Sequence, residues 1–550
     1  MLLITSAAYA APELTAEFGH LPPAFLPVGN RRLFVHQVHS AARAGEPVHL
    51  SLPEDFLLDP MDQHRLAAEG VTVLPVPAGL SLGQSVVYAL NVTPHRGRTV
   101  RILHGDTLIQ DLPRDALDVF SVGEAQSYYR WTEHRTESDG LPRFVYSLDS
   151  DRSVREVLSG YFAFSDAALL IAAITRAGGD FINGLTGYAR TRGLKPVRTG
   201  AWFDFGSLHT SYQSRAVANT ARAFNAVQIT RRTVRKSSPH SGPFADKIAA
   251  EAAWYRQLPP PLRRFVPALL ETQEQPPAYT LSHLYLPALN DLLVFGRLPP
   301  FVWRRILAAL DEFFTACARH RPPPALQPAL CAAATRLVTD KTRRRLAAYC
   351  AASGLDPEHP WSLNGQPLPG LGTLCATALA QVPASTAATL CVTHGDLCFS
   401  NIFYDFRSEM VRVVDPRGQD HQGNPTLWGD LRYDLAKLRH SLVGGYDFIV
   451  AGAATCYRDA ANPYALTLHL PDHPPLPALR QMLREVRFAG ESADTPAVRA
   501  MTVLLFISML PLHADDPARQ TALLANALRL FAEDFSPEAG QPEAGQPEAD

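Results

Sequence analysis

No cysteine occurs before Cys317, and the seven that follow (Cys317, Cys331, Cys350, Cys375, Cys391, Cys398, Cys456) are odd in number and form no C-x-x-C pair. That pattern argues against a disulfide framework or a zinc site and for free thiols, so a reducing, cytoplasmic setting is expected. An uninterrupted apolar run of about 18 residues or more is also missing, so no membrane span is expected. A surplus of one charge sign is absent too: the formal net charge is -2, which gives no broad basic field for nucleic acid or an anionic membrane. Two local absences matter more. Neither Met1 to Phe18 nor Tyr212 to Lys236 contains a glycine. Each stretch therefore lacks the glycine-rich backbone that usually cradles phosphates.

What is present is globular: 46% hydrophobic and 19% charged residues over 550 positions, enough for two or more domains with sizeable cores. Met1 to Pro12 ends in an A-x-A-like site but has no basic start and a very short apolar part, so Leu2 to Thr5 reads as a buried strand rather than a leader. Helical and strand patterns then alternate. Arg31 to Ala42 reads as a helix and Pro47 to Leu52 as a strand. Pro60 to Gly70 reads as a helix capped by Asp59 and Gly70, followed by strand Val71 to Val76 and helix Gly83 to Leu90. Thr99 to Leu103 is a strand running into His104-Gly105-Asp106. Gly160 to Ser165 is a strand, and Asp166 to Ala177 and Asp180 to Arg190 are helices. Such alternation predicts a doubly wound, mostly parallel sheet with ligands beyond the carboxyl ends of its strands.

The chemistry is densest at Cys391-Val392-Thr393-His394-Gly395-Asp396-Leu397-Cys398-Phe399-Ser400-Asn401, followed by Ile402 to Asp405 and by Val411 to Gly418. A short apolar strand ends in a polar loop with Asp396 and Asn401, and a returning hairpin ends on Asp415. Phosphoryl transfer needs one Asp to accept the proton of the attacking hydroxyl, and an Asn and a second Asp to hold Mg²⁺ against nucleotide phosphates. At His394, Gly395, Asp396, Asn401 and Asp415 the sequence resembles the aminoglycoside phosphotransferase and choline kinase family, whose loop reads H-G-D-x-x-x-x-N. Gly429-Asp430-Leu431-Arg432-Tyr433-Asp434-Leu435-Ala436 is similar to that family's G-D-x-x-Y-D-L-A segment. The resemblance implies a two-lobed, protein-kinase-like domain using ATP and Mg²⁺, with Asp396 as base, Asn401 and Asp415 as metal ligands and His394 beside the nucleotide.

Upstream, Phe224 to Ile229 and Thr233 to Lys236 read as strands around a turn at Thr230-Arg231-Arg232, and Asp246 to Gln257 as a helix. A strand-borne Lys236 and a helical Glu251 match the nucleotide-orienting ion pair of kinase lobes. With no glycine before Lys236, the turn at Thr230 to Arg232 either grips phosphate through its own N–H groups and arginines or is not used. Ala278 to Leu286 reads as an apolar strand and hinge. Phe301 to Ala318 is an amphipathic core helix, Ala325 to Ser353 is mostly helical with an exposed basic cluster at Lys341 to Arg345, and Gly370 to Gln381 is a further helix. Leu435 to Val443 and Ala518 to Asp534 are helical, and Met501 to His513 is a buried helix. The family's acceptor pockets lie among such C-terminal helices, which makes His440, Tyr446, Asp447 and His513 candidates. The tail from residue 536 repeats Glu-Ala-Gly-Gln-Pro and is expected to be disordered.

The front half resembles the sugar-phosphate nucleotidyltransferases through three segments. Leu21 to Leu33 is similar to the family's P-K-P-L-L-P-V-G-G-K-P-L, Leu103 to Thr107 to its strand ending in G-D, and Trp202 to Ser207 to its W-x-D-x-G-T. The resemblance implies metal-holding aspartates at Asp106 and Asp204, a nucleotide-contacting Gly83, and CTP or UTP as the nucleotide. The departures are large. Tyr9-Ala10-Ala11-Pro12-Glu13 stands where the family has G-x-G-x-R, Pro23 stands for a lysine, and only Arg31 and Arg32 supply positive charge nearby. Three readings stay open for this half: a diverged nucleotidyltransferase, a nucleotide or glycan binding module, and a structural relic. For Asp106 alone, a capping role after a buried strand is the plain alternative.

The expected organisation is an α/β chain with domains at 1–215 and 216–535 and a tail at 536–550. The expected function is an ATP- and Mg²⁺-dependent kinase of a small hydroxyl compound (a sugar, polyol or amino alcohol), fused to a nucleotidyltransferase-like domain. By analogy of domain pairing, it would supply activated precursors for capsular or other surface polysaccharides. The alternatives are a lone kinase with an inert front domain, and a scaffold that binds nucleotide and glycan without turnover.

Overall fold

The computed structural model describes residues 1–93, 99–125, 131–136, 142–146, 155–219, 226–238 and 242–535. The chain divides into two compact units, Met1–Ala221 with Phe295–Arg297, and Arg222–Val294 with Leu298–Asp550. The tail at 536–550, residues 220–223 and the start of the strand expected at Phe224 lie outside the described residues.

The first unit is built on a seven-stranded sheet. Strand Leu2–Thr5 lies inside it, parallel to both Val48–Pro53 and the central strand Val100–His104, and Val71–Val76 extends it in parallel. Leu2, Leu3 and Ile4 are wholly buried, as a first core strand requires. The sheet is parallel except at Arg155–Phe164, which runs antiparallel to both neighbours, Val100–His104 and Val119–Ala125. That strand begins five residues before the apolar run Gly160 to Ser165 suggested. It shifts register between Leu158 and Phe162, around Gly160 at φ 92°, a conformation only glycine adopts without strain.

Helix Pro60–Ala68 begins as its sequence predicts, with the Asp59 side chain accepting from Asp62 N–H at 2.8 Å and Gly70 in the left-handed region after its end. Helix Leu82–Val92 starts on a full capping box from Ser81 and Gln84. Apolar faces of Leu82–Val92, Ala167–Arg176 and Phe181–Arg192 close over the sheet through Val86, Leu170, Ile174, Leu185, Ile102, Phe120 and Phe162.

The second unit opens with a four-stranded antiparallel sheet, in the order Ala226–Ile229, Thr233–Ser237, Ala278–Ser282, Leu269–Gln273. Helix Pro243–Gln257 packs against it. The remainder is mostly helical. Helix Pro496–Met509 is central, packed by Leu431–Leu442, Gln327–Ser353 and Pro517–Phe535. Among the described residues only Pro496–His513 has the length and hydropathy to cross a bilayer, and 67% of that window is buried inside the unit. It starts five residues before the apolar run Met501 to His513, because Thr495 caps it and Pro496 takes its first position.

Two local expectations are corrected. The strand expected from Ala278 to Leu286 stops at Ser282. The basic stretch at Lys341 to Arg345 is not an exposed face throughout: only Arg343 and Arg344 are exposed, whereas Lys341 and Thr342 are buried. A helix turns its neighbours about 100° per residue, so consecutive basic residues cannot all share one side.

Candidate functional site

In the second unit, strand Leu390–Val392 pairs antiparallel with Trp428–Asp430, which brings the loop His394 to Asn401 beside the start of helix Leu431–Leu442. Asp434 on that helix accepts the N–H groups of both His394 and Gly395 at 2.7 Å each. The His394 ring completes the frame: its Nδ1 accepts from Asp396 N–H (3.3 Å), so Nε2–H donates to Val414 O (2.8 Å). Burial lowers the His394 pKa to about 4, so the ring is neutral. His394 is thus a strut between the Asp396 loop and the strand that delivers Asp415.

Asn401 N–H donates to Cys398 O at 2.9 Å, and its side-chain Nδ2 donates to Asp396 O at 2.9 Å. The amide nitrogen is spent within the loop, which leaves the acceptor Oδ1 as the end able to meet a cation. Hairpin Ile402–Asp405 and Met410–Val413 follows, tied back by Val414 N–H to Asn401 O (3.0 Å). Asp415 stands past its end, half-exposed, at φ 56°. A non-glycine residue in the left-handed region is uncommon and concentrates where function requires a particular direction.

Lys236 Nζ lies 2.7 Å from Glu251 Oε2 and 3.4 Å from Asp415 Oδ1. Burial works against its charge, but Asp415 and Glu251 outweigh that and raise its pKa. Glu251 is fully buried, and Oε2 also accepts from Tyr279 OH at 2.7 Å. The helix bearing Glu251 is fastened to the end of strand Leu390–Val392 by Trp254 Nε1–H, which donates to Thr393 O at 2.9 Å. It is fastened to the Asp415 segment by close packing: a Cβ at Gly418 (φ 65°) would lie 2.5 Å from Ala250 O.

Asp396 has a partner that sequence reasoning did not name. Lys437 Nζ sits 2.8 Å from Asp396 Oδ1. Burial pushes the Asp396 carboxyl up, but Lys437 and then Arg417 outweigh it and hold it well below the usual carboxylate range. Tyr433, Asp434 and Lys437 lie on one face by helical spacing, and that spacing was the available signal. Arg417 braces the same loop, with its N–H on His394 O (2.8 Å) and Nε on Gly395 O (3.1 Å).

Of the two alternatives for the turn before Lys236, the geometry of its N–H groups favours the one in which it is not used to grip phosphate. Thr230 Oγ1 accepts the N–H groups of Arg232 (3.2 Å) and Thr233 (2.9 Å), so those two donors are closed onto the turn itself and do not face a phosphate. His440 is likewise a packed residue. It is wholly buried, with ring centroids of Tyr446 at 4.4 Å and Phe506 at 4.3 Å and Nε2 at 3.2 Å from Met509 Sδ. Tyr446 also meets His513 at 6.3 Å, and Asp447 is buried, its pKa raised to about 7 first of all by that burial. Asp430 is the N-cap of its helix, accepting from Arg432 N–H at 2.9 Å.

The first unit has its own cleft, about 280 Å³, lined by Thr5 to Ala11, Pro23, Leu80, Leu82, Ser85, His104, Asp106, Phe205 and Gly206. Asp106 and Asp204 flank Gly206: a Cβ there would lie 2.8 Å from Asp106 Oδ2 and 3.3 Å from Asp204 Oδ1. Burial, and then the neighbouring Asp106 charge, raise the Asp204 pKa to about 7. Two carboxylates pushed together in this way suit a divalent cation. Among the described residues no Lys or Arg lines the cleft. Arg31 is exposed on the two-residue strand Arg31–Arg32, and Arg32 is buried with both guanidinium edges used, Nε and Nη2 on Asp62 (2.8 and 2.7 Å) and Nη1 on Phe25 O. Gly83 serves packing, since a Cβ there would lie 2.4 Å from Gly179 O.

No family model matches the chain, and no curated protein matches it. Solved structures similar to it include a nucleoside-diphosphate-sugar pyrophosphorylase from Vibrio cholerae RC9, at 12% identity and TM-score 0.32, over 39% of this chain and 99% of that one. HddC from Yersinia pseudotuberculosis is similar at 15% identity and TM-score 0.30, over 39% of this chain and 97% of that one.

Proposed function

We propose that the second unit is an ATP- and Mg²⁺-dependent kinase acting on a hydroxyl group of a small molecule. The observation that carries this is the position of Lys236, within 3.4 Å of both Glu251 and Asp415, on the strand side of a loop in which Asn401 is hydrogen-bonded to Asp396. Asn401 Oδ1 and the half-exposed Asp415 carboxylate fit Mg²⁺, which takes few protein oxygens and completes its shell with phosphate and water. When bound, the ion would neutralise charge on the nucleotide phosphates. Lys236, oriented by Glu251, holds those phosphates by charge-assisted hydrogen bonds. Asp396 orients the acceptor hydroxyl and receives its proton. The Asp434 and Arg417 braces keep that carboxylate in place without reorganisation during the reaction.

For the first unit the reading is a diverged nucleotidyltransferase-like domain whose cleft takes a divalent ion at Asp106 and Asp204 with a nucleotide or sugar ligand. The missing cations speak against efficient pyrophosphate-releasing chemistry, since each such group stabilises a transition state by about 3 kcal/mol. A role of the whole chain in supplying activated sugar or polyol units for a surface polysaccharide follows from pairing the two readings.

The test is ATP consumption by the purified chain with pooled sugars, polyols and amino alcohols in Mg²⁺. Turnover dependent on an acceptor is expected, and its absence with every pool would remove the kinase reading. Two further results are expected. Lys437→Met removes the largest cationic neighbour of Asp396, so its pKa rises and the acidic limb of the kcat/KM profile moves up by about 1 to 2 pH units. At pH 8, Mg²⁺ or Mn²⁺ raises the melting temperature of the first unit by relieving the Asp106–Asp204 repulsion, and calorimetric scans of Asp106→Ala show no such rise.

A further inference from the structure

The cleft of the first unit stands where the sequence resemblance puts a nucleotide, yet its wall carries little that grips phosphate. Proteins hold polyphosphate with cationic side chains, with a concave run of N–H groups, or with an open helix N-terminus. Among the described residues no Lys or Arg lines this cleft. Arg297, the cation beside Tyr9, lies over the Phe56 ring at 4.2 Å and gives Nη2 to Leu57 O at 2.5 Å. A concave run of N–H groups alternates right- and left-handed residues, and no residue from Met1 to Phe18 has a positive φ. Two N–H groups of that loop are also turned inward, Ser6 onto Ser51 Oγ at 3.1 Å and Ala10 onto Leu21 O at 2.9 Å. The helix N-terminus at Leu82 is capped by its own box: Gln84 N–H donates to Ser81 Oγ at 3.2 Å, and Ser81 N–H to the Gln84 side chain at 2.9 Å.

What faces the space is apolar surface with a few groups suited to hydroxyls. Leu80 and Leu82 line it and are 36% and 39% exposed. The Tyr9 hydroxyl is spent on Asp55 Oδ1 at 2.9 Å, and its ring is stacked on His20 at 3.5 Å, so Tyr9 offers the cleft ring carbon. His104 also lines the cleft. Its ring is held against Phe162 and Phe181, and its Nε2 has no hydrogen-bond partner. A ring nitrogen orphaned on a pocket wall marks the place of a ligand atom or a water. Asp106 and Asp204 face one another across Gly206. Two carboxylates fill only part of a divalent cation's shell, and neutral oxygens can take the rest.

A cleft of about 280 Å³ with apolar walls and a few fixed polar groups is a form that holds small neutral ligands. We infer that the first unit binds an uncharged sugar or polyol, whose adjacent hydroxyls complete the shell of a divalent cation at Asp106 and Asp204 and whose C–H face lies on Tyr9, Leu80 and Leu82. His104 Nε2 and the Ser85 hydroxyl meet further hydroxyls, which both donate and accept. A nucleoside triphosphate fits this surface poorly, because it brings several negative charges against one cation and the two carboxylates that hold it. The ligand class rests on the cation reading of Asp106 and Asp204 and not on the kinase reading.

The experiment is calorimetric titration of the full chain, in Mn²⁺ or in EDTA, with neutral hexoses, pentoses and acyclic polyols, and with CTP, UTP and glucose 1-phosphate. The parent is compared with Asp106→Asn and Leu80→Ser. At least one neutral compound is expected to bind in Mn²⁺, and about 10-fold more weakly in EDTA and in Asp106→Asn. Leu80→Ser, a change at an exposed position, should weaken it about 3-fold. Any binding of CTP, UTP or glucose 1-phosphate should not respond to Asp106→Asn. No binding of a neutral compound, or equal binding by the parent and Asp106→Asn, would overturn the sugar site. CTP or UTP bound more tightly than every sugar, with that binding lost in Asp106→Asn, would return the cleft to nucleotides and leave the cation reading standing. If Mn²⁺ fails to raise the melting temperature of the parent, the cation reading itself falls, and the sugar site with it.

Discussion

Asp396→Asn is expected to lower kcat for acceptor-dependent ATP consumption by about 10³-fold, with KM for ATP changed little. The substitution keeps the shape of the side chain and an oxygen for Lys437, which sits 2.8 Å away. The backbone contacts that build the loop, from Asp434 to the His394 and Gly395 N–H groups and from Asn401 to the Asp396 carbonyl, do not involve the altered atoms. What is removed is the charge that receives a proton. Asp405→Asn makes a suitable control, because that carboxylate only closes the hairpin turn onto Ser408 and Arg407. Equal turnover in Asp396→Asn and the parent, measured by steady-state kinetics, would rule out Asp396 as the base.

The second large effect comes from a residue that touches no ligand. Gly418→Ala is expected to lower kcat/KM by about 10²-fold or more and to destabilise the second unit by about 2 kcal/mol. Two causes add. A side chain at φ 65° is strained, and its Cβ would come within 2.5 Å of Ala250 O in the helix that carries Glu251. Backbone cannot swing aside as a flexible side chain does, so the helix and the Asp415 segment must separate. Glu251 then draws away from Lys236, and Lys236 from Asp415. Chemical denaturation measures the stability loss, and ATP kinetics the rest. Full activity with a shifted melting temperature would show that the packing supports the fold alone and not the site.

Much of this site was legible before any coordinates. Lys236, Glu251, Asn401 and Asp415 were named from residue type, spacing and resemblance, and Lys236 does meet both Glu251 and Asp415 within hydrogen-bonding reach. The helix cap at Asp59 was equally local, since a cap bonds within three residues of itself. The sequence left two alternatives open for the turn at Thr230, and its hydroxyl takes the N–H groups that one of them would have turned to phosphate. It missed Lys437 and Arg417 as neighbours of Asp396, and it placed Lys341 on an exposed face.

The sequence by itself determined the periodic elements, the loop carrying Asp396 and Asn401, and the scarcity of cations around the first unit's aspartates. Those follow from what lies within a few residues along the chain. Only the tertiary structure decided which charges are neutralised: Arg32 is used up by Asp62, Lys437 by Asp396, while Lys341 and Arg417 are left sharing one phenol. The physical reason is that a charge is priced by its burial and by partners far off in sequence, 92 residues in the case of Lys341 and Tyr433, and no local pattern carries that distance.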